Sequence, residues 1–565
     1  LRLLKKDFFI VIPSEVPKGR ARNLSAGSSQ KIEIPRYSLP AASLWQAGAP
    51  RNDIHLGFFR NLLLFLFFVT GILSAQKLDD TPLVNVGNIT ITKKEFLSRY
   101  ELTPGINHRK NDLEANKGEF LLSMIAEKLL ILKAQQEGWD NDTVLTNAVK
   151  EIERLLVRDE LYRREVQQKI TISDAEMRTG MQRSLNDMKV YFLYAKTKEG
   201  ADFLYSQIQK GKLLENFSFT IESKDEFDGP DSAIAHWGDV DERMENVVYN
   251  LKLNQTSKPI QLEDGWYIVK LMGKTATVLV GEKERKGQQE KVESVLRKRK
   301  EQKRMTEFMN KELNSTKTDV NARLLKSVII HLWDIAQKKN PVRTDSTMFF
   351  VDKSVIDSLR VRMGDSLHFT FVTFPHAEWT LESTLEKISE TNLATINLTL
   401  KKIRTDVEQR LRDLIDQEYL VQIGYKQGLN QSAAVRNDLK VWRDAYLSQI
   451  IKSRVEDTVN VSLNEIEEIK RVFRNDTAIV NNNDIAKEKM KELKTKELLD
   501  RFVGSVANNV EITFYEKNFK DVQVSSTTSM VFRYLGFGGR MFAVPFVAPQ
   551  LGWINHWQNR DVKLP

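Results

Sequence analysis

Ile125-Ala126-Glu127-Lys128-Leu129-Leu130-Ile131-Leu132-Lys133-Ala134-Gln135-Gln136-Glu137-Gly138 is an apolar helical run closed by a glycine. It returns 290 residues later as Ile415-Asp416-Gln417-Glu418-Tyr419-Leu420-Val421-Gln422-Ile423-Gly424-Tyr425-Lys426-Gln427-Gly428. Ile125, Leu130 and Gly138 match Ile415, Leu420 and Gly428, and each glycine stands where a C′ residue ends a helix. Downstream, Asn147 and Lys150 match Asn437 and Lys440 at the same offset. Ile170-Thr171-Ile172-Ser173 then matches Val459-Asn460-Val461-Ser462 with a one-residue slip. Upstream, Leu83 to Thr92 alternates as a strand with a turn and runs into Lys93-Lys94-Glu95-Phe96-Leu97, a helix start with Thr92 as N-cap. Phe371-Val372-Thr373-Phe374 is a strand in the second copy, and Trp379-Thr380-Leu381 stands where Ile91-Thr92-Lys93 stood. Matches at a near-constant offset indicate an internal repeat. The plainer alternative is two generic helical hairpins.

Each half is expected to close alike, with a charged helix (Glu282–Leu313; Lys487–Val506) and a short alternating segment (Val320–Val328; Val510–Val522). One extra block, Asp187–Gly273, breaks the symmetry. The chain accordingly divides into a first repeat at 80–186, the inserted block at 187–273, and a closing helix and strand at 274–330. A second, uninterrupted repeat follows at 369–522, and an aromatic, glycine-rich tail at 525–565.

A chain of 565 residues needs several domains. The absence of cysteine excludes disulfides, thiolate metal sites and cysteine nucleophiles. The net charge of +9 is mostly local: residues 1–75 hold ten Lys/Arg against four Asp/Glu, which leaves about +3 for the rest. No basic stripe with interleaved aromatics follows, so nucleic acid is not an expected partner. Arg60-Asn61 and the apolar run from Leu62 to Ile72, ending at Leu73-Ser74-Ala75, read as a secretory signal over 58–75. The run is shorter than the roughly 20 residues of a spanning helix; the alternatives are a buried core helix or an uncleaved anchor. The reading predicts export. Residues 1–57 upstream are expected to be a non-native or disordered extension, an over-extended reading frame.

The inserted block carries a recognisable pattern. Val190-Tyr191-Phe192-Leu193-Tyr194-Ala195 reads as a strand, Ala201–Lys210 as a helix, and Ala233–Asp239 with Trp237-Gly238 as a glycine turn. Val247–Lys252 and Ser257-Lys258-Pro259-Ile260 lead into a closing strand, Trp266-Tyr267-Ile268-Val269-Lys270-Leu271. This block resembles the parvulin-type peptidyl-prolyl cis-trans isomerase domain. With 80–186 in front of it, the layout resembles the SurA-type periplasmic chaperones. The expected fold class is therefore mainly α with α+β: a duplicated helical chaperone frame, strand plus helices, with one inserted parvulin-like α+β domain.

The X-Pro bond has a rotational barrier of about 20 kcal/mol, set by amide resonance. An isomerase lowers it by gripping the proline in an apolar pocket and stabilising the twisted amide; no covalent step is needed. The resemblance implies two facing histidines and a nearby cysteine or aspartate. Here Phe192 and Tyr267 stand at the two histidine positions, and Asp225 in Ser223-Lys224-Asp225-Glu226 is a loose match for the acid. Met244 falls where an apolar pocket wall belongs, and Trp237 joins these as a pocket candidate. The pocket reading is a binding site for proline-containing or aromatic segments; the plain reading is that Phe192, Met244 and Tyr267 fill the module's core. His236 beside Trp237 reads as structural rather than as a surrogate base.

No His-x-x-x-His pair, Gly-x-Ser-x-Gly or phosphate-loop motif is present, and Leu535-Gly536-Phe537-Gly538-Gly539-Arg540 lacks the Lys-Ser/Thr of a phosphate loop. No cofactor, nucleotide or metal is expected. The expected partners are unfolded or nascent exported polypeptides, outer-membrane proteins above all, received in apolar grooves between helices. Two other functions stay open: an active prolyl isomerase with altered residues, and a structural subunit of an envelope assembly. The tail, Met530–Trp557, is expected either to dock on a partner or membrane face or to pack on its own domain.

Overall fold

The structure, a computed structural model, describes residues 31–32, 80–104, 112–217, 227–340, 347–391, 393–396, 398–525, 529–558 and 565. The signal segment 58–75, Asp225 and, apart from the two-residue strand Lys31–Ile32, the extension 1–57 lie outside them.

Gly138 and Gly428 adopt left-handed backbone, φ +73° and +68°, and each leads into a single 3-10 turn, Trp139–Asn141 and Leu429–Gln431. Around them the elements recur in one order. The first frame runs β1 (Pro82–Val86), β2 (Ile89–Thr92), α1 (Lys93–Leu102), α2 (Leu113–Gln136), α3 (Thr143–Glu165) and α4 (Asp174–Ser184). Then come β3 (Asn186–Ala195), α5 (Lys198–Gln209), β4 (Phe227–Ala235), α6 (Glu242–Val248), β5 (Ile260–Gln261), β6 (Trp266–Ala276) and the long α7 (Glu282–Leu313). A bridging stretch follows: β7 (Asp319–Asn321), α8 (Ala322–Lys339), β8 (Met348–Phe350) and α9 (Lys353–Met363). The second frame runs β9 (Thr370–Thr373), β10 (Glu378–Thr380), α10 (Leu381–Ser389), β11 (Ala394–Ile396), α11 (Leu400–Lys426), α12 (Ala433–Asp457), α13 (Leu463–Val472), α14 (Thr477–Val480) and α15 (Asn483–Ala507). It ends in β12 (Ile512–Phe514) and α16 (Glu516–Lys520). The fold is mainly α, with small antiparallel sheets.

The repeat extends to its polar detail. The Thr92 and Thr380 side chains accept the Glu95 and Ser383 N–H, both at 3.2 Å, as N-caps of α1 and α10. Ser173/Glu176 and Ser462/Glu465 form capping boxes on α4 and α13. Lys300 Nζ donates to the Thr171 carbonyl (2.6 Å) and pairs with Glu176 (2.7 Å). Lys494 does the same to Asn460 (2.7 Å) and Glu465 (2.6 Å).

Residues 80–161 and 317–565 form one compact unit, and 162–316 a second. Within the first, the frames do not close on themselves. β12 of the second frame pairs with β1 of the first (Ile512 opposite Val86, Phe514 opposite Val84), giving the sheet β12–β1–β2. Conversely, β7 pairs with β9 (Val320 opposite Val372), giving β7–β9–β10, with the Lys31–Ile32 strand paired on the other side of β7 (Ile32 opposite Val320). The helices cross over as well: Leu129, Leu130 and Ala134 of α2 share one core with Leu447 and Ile451 of α12 and Val503 of α15. The stretch expected to alternate over Val320–Val328 is a strand only to Asn321. There the Asn321 side chain accepts the Leu324 N–H (3.2 Å), and Leu324, Val328, Leu332 and Ile335 take the helical spacing of α8. Val510–Val522 likewise splits into β12 and α16.

The α2 core also encloses charge. Arg99 donates two hydrogen bonds to the Glu127 carboxylate (2.6 and 2.8 Å) with both side chains buried. Burial by itself would raise the Glu127 carboxyl; the Arg99 charge and hydrogen bonds, with Lys128 beside them, outweigh it and hold it at about 2.

The tail packs on its own unit. Its hairpin, β13 (Phe532–Tyr534) and β14 (Arg540–Phe542), turns through Phe537, Gly538 and Gly539, all at positive φ. The glycine-rich turn grips α3: Gly536 N–H donates to Asp159 Oδ1 (2.9 Å) and Arg158 donates to the Gly538 carbonyl (2.7 Å). Beyond it, Val547, Trp553 and Trp557 enter the core that holds α2. Gly504 on α15 admits this segment, since a Cβ there would lie 2.5 Å from His556 Cβ. The aromatic residues thus fill the apolar surface of the helical frame from within the chain. The groove expected between the helices is occupied at that place. Among the described residues, no helix is long and apolar enough to cross a membrane.

Candidate functional site

In the unit 162–316, β3 and β6 are the two central strands of a four-stranded antiparallel sheet ordered β4–β3–β6–β5. Period-two alternation sends their side chains to two separate cores. Leu193, Ala195 and Ile268 face α5, with Leu204 and Phe217. Met188, Val190, Val269 and Leu271 face the other side, with Val248 of α6 and Ile260.

At the mouth of this second face the structure brings Phe192, Met244 and Tyr267 together, half-buried against Val240, Val247, Tyr249, Leu251 and Leu262. The Phe192 and Tyr267 rings are 6.0 Å apart and tilted at 52°. Tyr194, two positions along β3 on the same face, meets Tyr267 edge-on at 5.3 Å. Tyr194 is not among the residues that the family resemblance singles out, although its i+2 relation to Phe192 marks it for this face. Neither is Asp264. The Tyr267 hydroxyl donates to Asp264 Oδ2 and the Tyr194 hydroxyl to the Asp264 carbonyl, each at 2.6 Å. The mouth of the face is therefore three aromatic rings and a methionine over apolar packing, with one acidic turn at its rim. On the same side, burial pushes the Tyr249 hydroxyl up to about 12, so it stays protonated and donates to the Asn186 carbonyl (2.7 Å).

Trp237 is elsewhere. It is buried against α4, where a Cβ on Gly180 would lie 3.3 Å from its ring and 2.6 Å from Val292 of α7. Arg299 of α7 stacks on the indole at 5.3 Å. Glu245, fully buried, receives both Arg299 nitrogens (2.9 and 2.7 Å) and the Gly238 N–H (2.8 Å). Burial works against the Arg299 charge, and the Glu245 carboxylate more than restores it. Trp237 therefore anchors the sheet to the α4–α7 helices and is not a pocket residue: its glycine turn aims it away from Phe192. In the second frame, which lacks an insert, the position equivalent to Gly180 is Ile469, buried in place of that contact. His236 pairs through Nδ1 with Asp187 (2.7 Å) at the surface, away from the aromatic group. Asp225 lies outside the described residues. Among those residues, no cluster of three or more acidic or histidine side chains could hold a metal.

Fold and site define the class of molecule: a mainly α protein with an α+β module that carries an aromatic cluster on one sheet face. Among solved structures, the chain is similar to the peptidylprolyl isomerase PrsA of Bacillus anthracis at 17% identity, over 33% of this chain and 96% of that one, with a TM-score of 0.18. It is similar to a chain from the Campylobacter jejuni pair PEB4 and Cj1289, described as SurA-like chaperones, at 13% identity, over 42% and 98%, with a TM-score of 0.19. The foldase PrsA of Lactococcus lactis matches at 13% identity, over 50% and 100%, with a TM-score of 0.15. No protein-family model and no curated protein matches the chain.

Proposed function

We propose that this chain is an exported folding chaperone of the SurA type, acting in the periplasm on unfolded outer-membrane polypeptides. Its parvulin-like module serves as a binding pocket for proline-containing or aromatic segments, with little or no isomerase activity. The observation that carries this reading is the pair Phe192 and Tyr267 at the two facing positions. An aromatic pair holds a proline ring or an aromatic side chain by stacking, but it offers no facing imidazoles beneath a twisting amide. The Tyr267 hydroxyl is already committed to Asp264. Further apolar side chains stand exposed on the same unit, among them Phe203, Leu253, Val278 and Val280. Weak contacts at several such points add through effective concentration, so binding alone supplies the energy.

One observation favours a second reading, an isomerase with altered residues: the short Tyr267–Asp264 hydrogen bond puts a polar couple at one of the two facing positions. A proline-peptide isomerisation assay separates the two. Under the chaperone reading, the parent and a Phe192→Ala/Tyr267→Ala variant show the same rate, while the parent slows aggregation of a denatured porin. Acceleration well above the double variant would establish the enzyme. Aggregation at the rate seen in buffer would end the chaperone reading.

A further inference from the structure

At the offset of 290, Lys128 of the first frame corresponds to Glu418 of the second, Arg154 to Asp444, and Glu153 to Arg443. At all three positions the sign of the charge is reversed. These residues lie where the frames meet. Lys128 on α2 reaches Asp444 on α12 at 3.4 Å, with 2% and 7% of the side chains exposed. Arg154 on α3 pairs with Glu418 on α11, the latter 4% exposed. Arg443 on α12 lies 3.6 Å from Asp140. The second contact is the first one viewed from the other frame, with the charges exchanged.

The apolar positions of the two frames are only partly alike: Ile125 matches Ile415 and Leu130 matches Leu420, but Leu129 corresponds to Tyr419 and Ala134 to Gly424, where a Cβ would lie 2.5 Å from Val157, so packing contributes to the choice of partner but does not change sign between the frames. Charge does. Two first frames in this arrangement would set Lys128 against Arg154 and Glu153 beside Asp140. Two second frames would set Glu418 against Asp444. Each juxtaposition desolvates like charges, which costs twice over: the solvation is lost and the neighbour repels. Unlike frames satisfy both contacts. We infer that these buried charges are a pairing code: the surface along α2 and α3 accepts the second frame, of this chain or of another copy, and rejects a copy of itself.

The Arg154–Glu418 pair allows a clean test, because Lys128 also faces Glu95 (2.8 Å) and Glu127 (4.0 Å) in its own frame. Around Glu418 stand His376 (3.5 Å), Gln422 and the charge of Lys387, and around Arg154 the exposed Glu151 (3.5 Å), Tyr425 and the like charge of Arg158. In the full chain, Arg154→Glu alone sets two acids together and should lower the thermal midpoint by roughly 5–10 °C. Arg154→Glu/Glu418→Arg restores the pair within the chain and most of the midpoint. It also gives both frames the same order of signs at these two positions, so like frames no longer repel there, and only Glu153 beside Asp140 still opposes a pair of first frames. After refolding at rising concentration, sizing by light scattering should find the parent mainly monomeric, since only unlike frames pair, and a clearly larger associated fraction for the double variant, in which like frames pair as well. Arg154→Met/Glu418→Met, which removes the charges without inverting them, should show the same larger associated fraction even if the inverted pair folds poorly. A parent-like size distribution in both double variants, or a parent-like midpoint for Arg154→Glu, would overturn the code.

Discussion

Replacing Glu245 by alanine should loosen the inserted module from its helices. The carboxylate is fully buried, takes two hydrogen bonds from Arg299 and holds the Gly238 N–H. Without it, Arg299, with 19% of its side chain exposed, keeps the face of Trp237 and the more distant charges of Glu242 and Asp241. Removing one member of a buried ion pair costs about 3–5 kcal/mol, since the remaining charge stays desolvated. Residual water access to Arg299 puts the expectation near the lower end, about 3 kcal/mol, or a fall of roughly 6–12 °C in midpoint for a unit of this size. The assay is thermal or urea unfolding followed by tryptophan fluorescence. A Trp237→Phe reference isolates that indole among the nine tryptophans of the chain. The control is Glu176→Gln, which weakens the more exposed Lys300 pair but keeps a capping-box side chain, and it should cost less than about 1 kcal/mol. If Glu245→Ala unfolds with the parent, or Glu176→Gln falls as far, the anchoring role assigned to Glu245 is wrong.

Glu127→Gln should destabilise the unit containing α2 by about 3 kcal/mol at neutral pH, since the buried Arg99 then keeps only Glu95 (3.6 Å) and the Pro545 carbonyl (3.3 Å) as direct partners. Because the folded carboxyl is held at about 2, its contribution is complete above the unfolded value near 4.5 and fades as pH falls toward 2. The parent's acid-unfolding curve should steepen in that window, and the variant's should not. Gly138→Ala and Gly428→Ala should each cost roughly 1–2 kcal/mol and match each other in chemical denaturation. At both sites an added Cβ meets nothing within 4 Å, so only the left-handed backbone resists it. Trp553→Ala should cost about 3–5 kcal/mol and make the C-terminal segment the first site cut in limited proteolysis. A tail that resists cleavage in that variant would show that the hairpin on α3 holds it alone.

The repeat was legible because local signals recur with it: the two left-handed glycines, the Thr92 and Thr380 caps, and the Ser173 and Ser462 helix starts. The grouping of Phe192, Met244 and Tyr267 was legible from strand alternation and the resemblance. Pairing partners were not. A three-residue strand such as Ile512–Phe514 has the same alternating pattern whichever hairpin it completes, so the exchange between frames left no mark in local periodicity. Trp237 counts among the pocket candidates by sequence, where nothing shows which way its glycine turn sends the ring. Which way the turn aims the ring depends on Gly180, more than fifty positions earlier in the chain. The helices α8 and α9 went unread, since apolar residues over Val320–Val328 fit either period until Asn321 caps the turn.

The crossing of the strands also constrains how this molecule is made. Asn85 on β1 hydrogen-bonds the Tyr515 hydroxyl across 430 positions of sequence, beside the strand that completes the sheet. During synthesis the hairpin β1–β2 has an open edge until β12 has emerged, and open edges recruit other strands. A protein proposed to shelter unfinished polypeptides thus spends its own assembly as one, and any product truncated before β12 should be a target for degradation or a seed for aggregation.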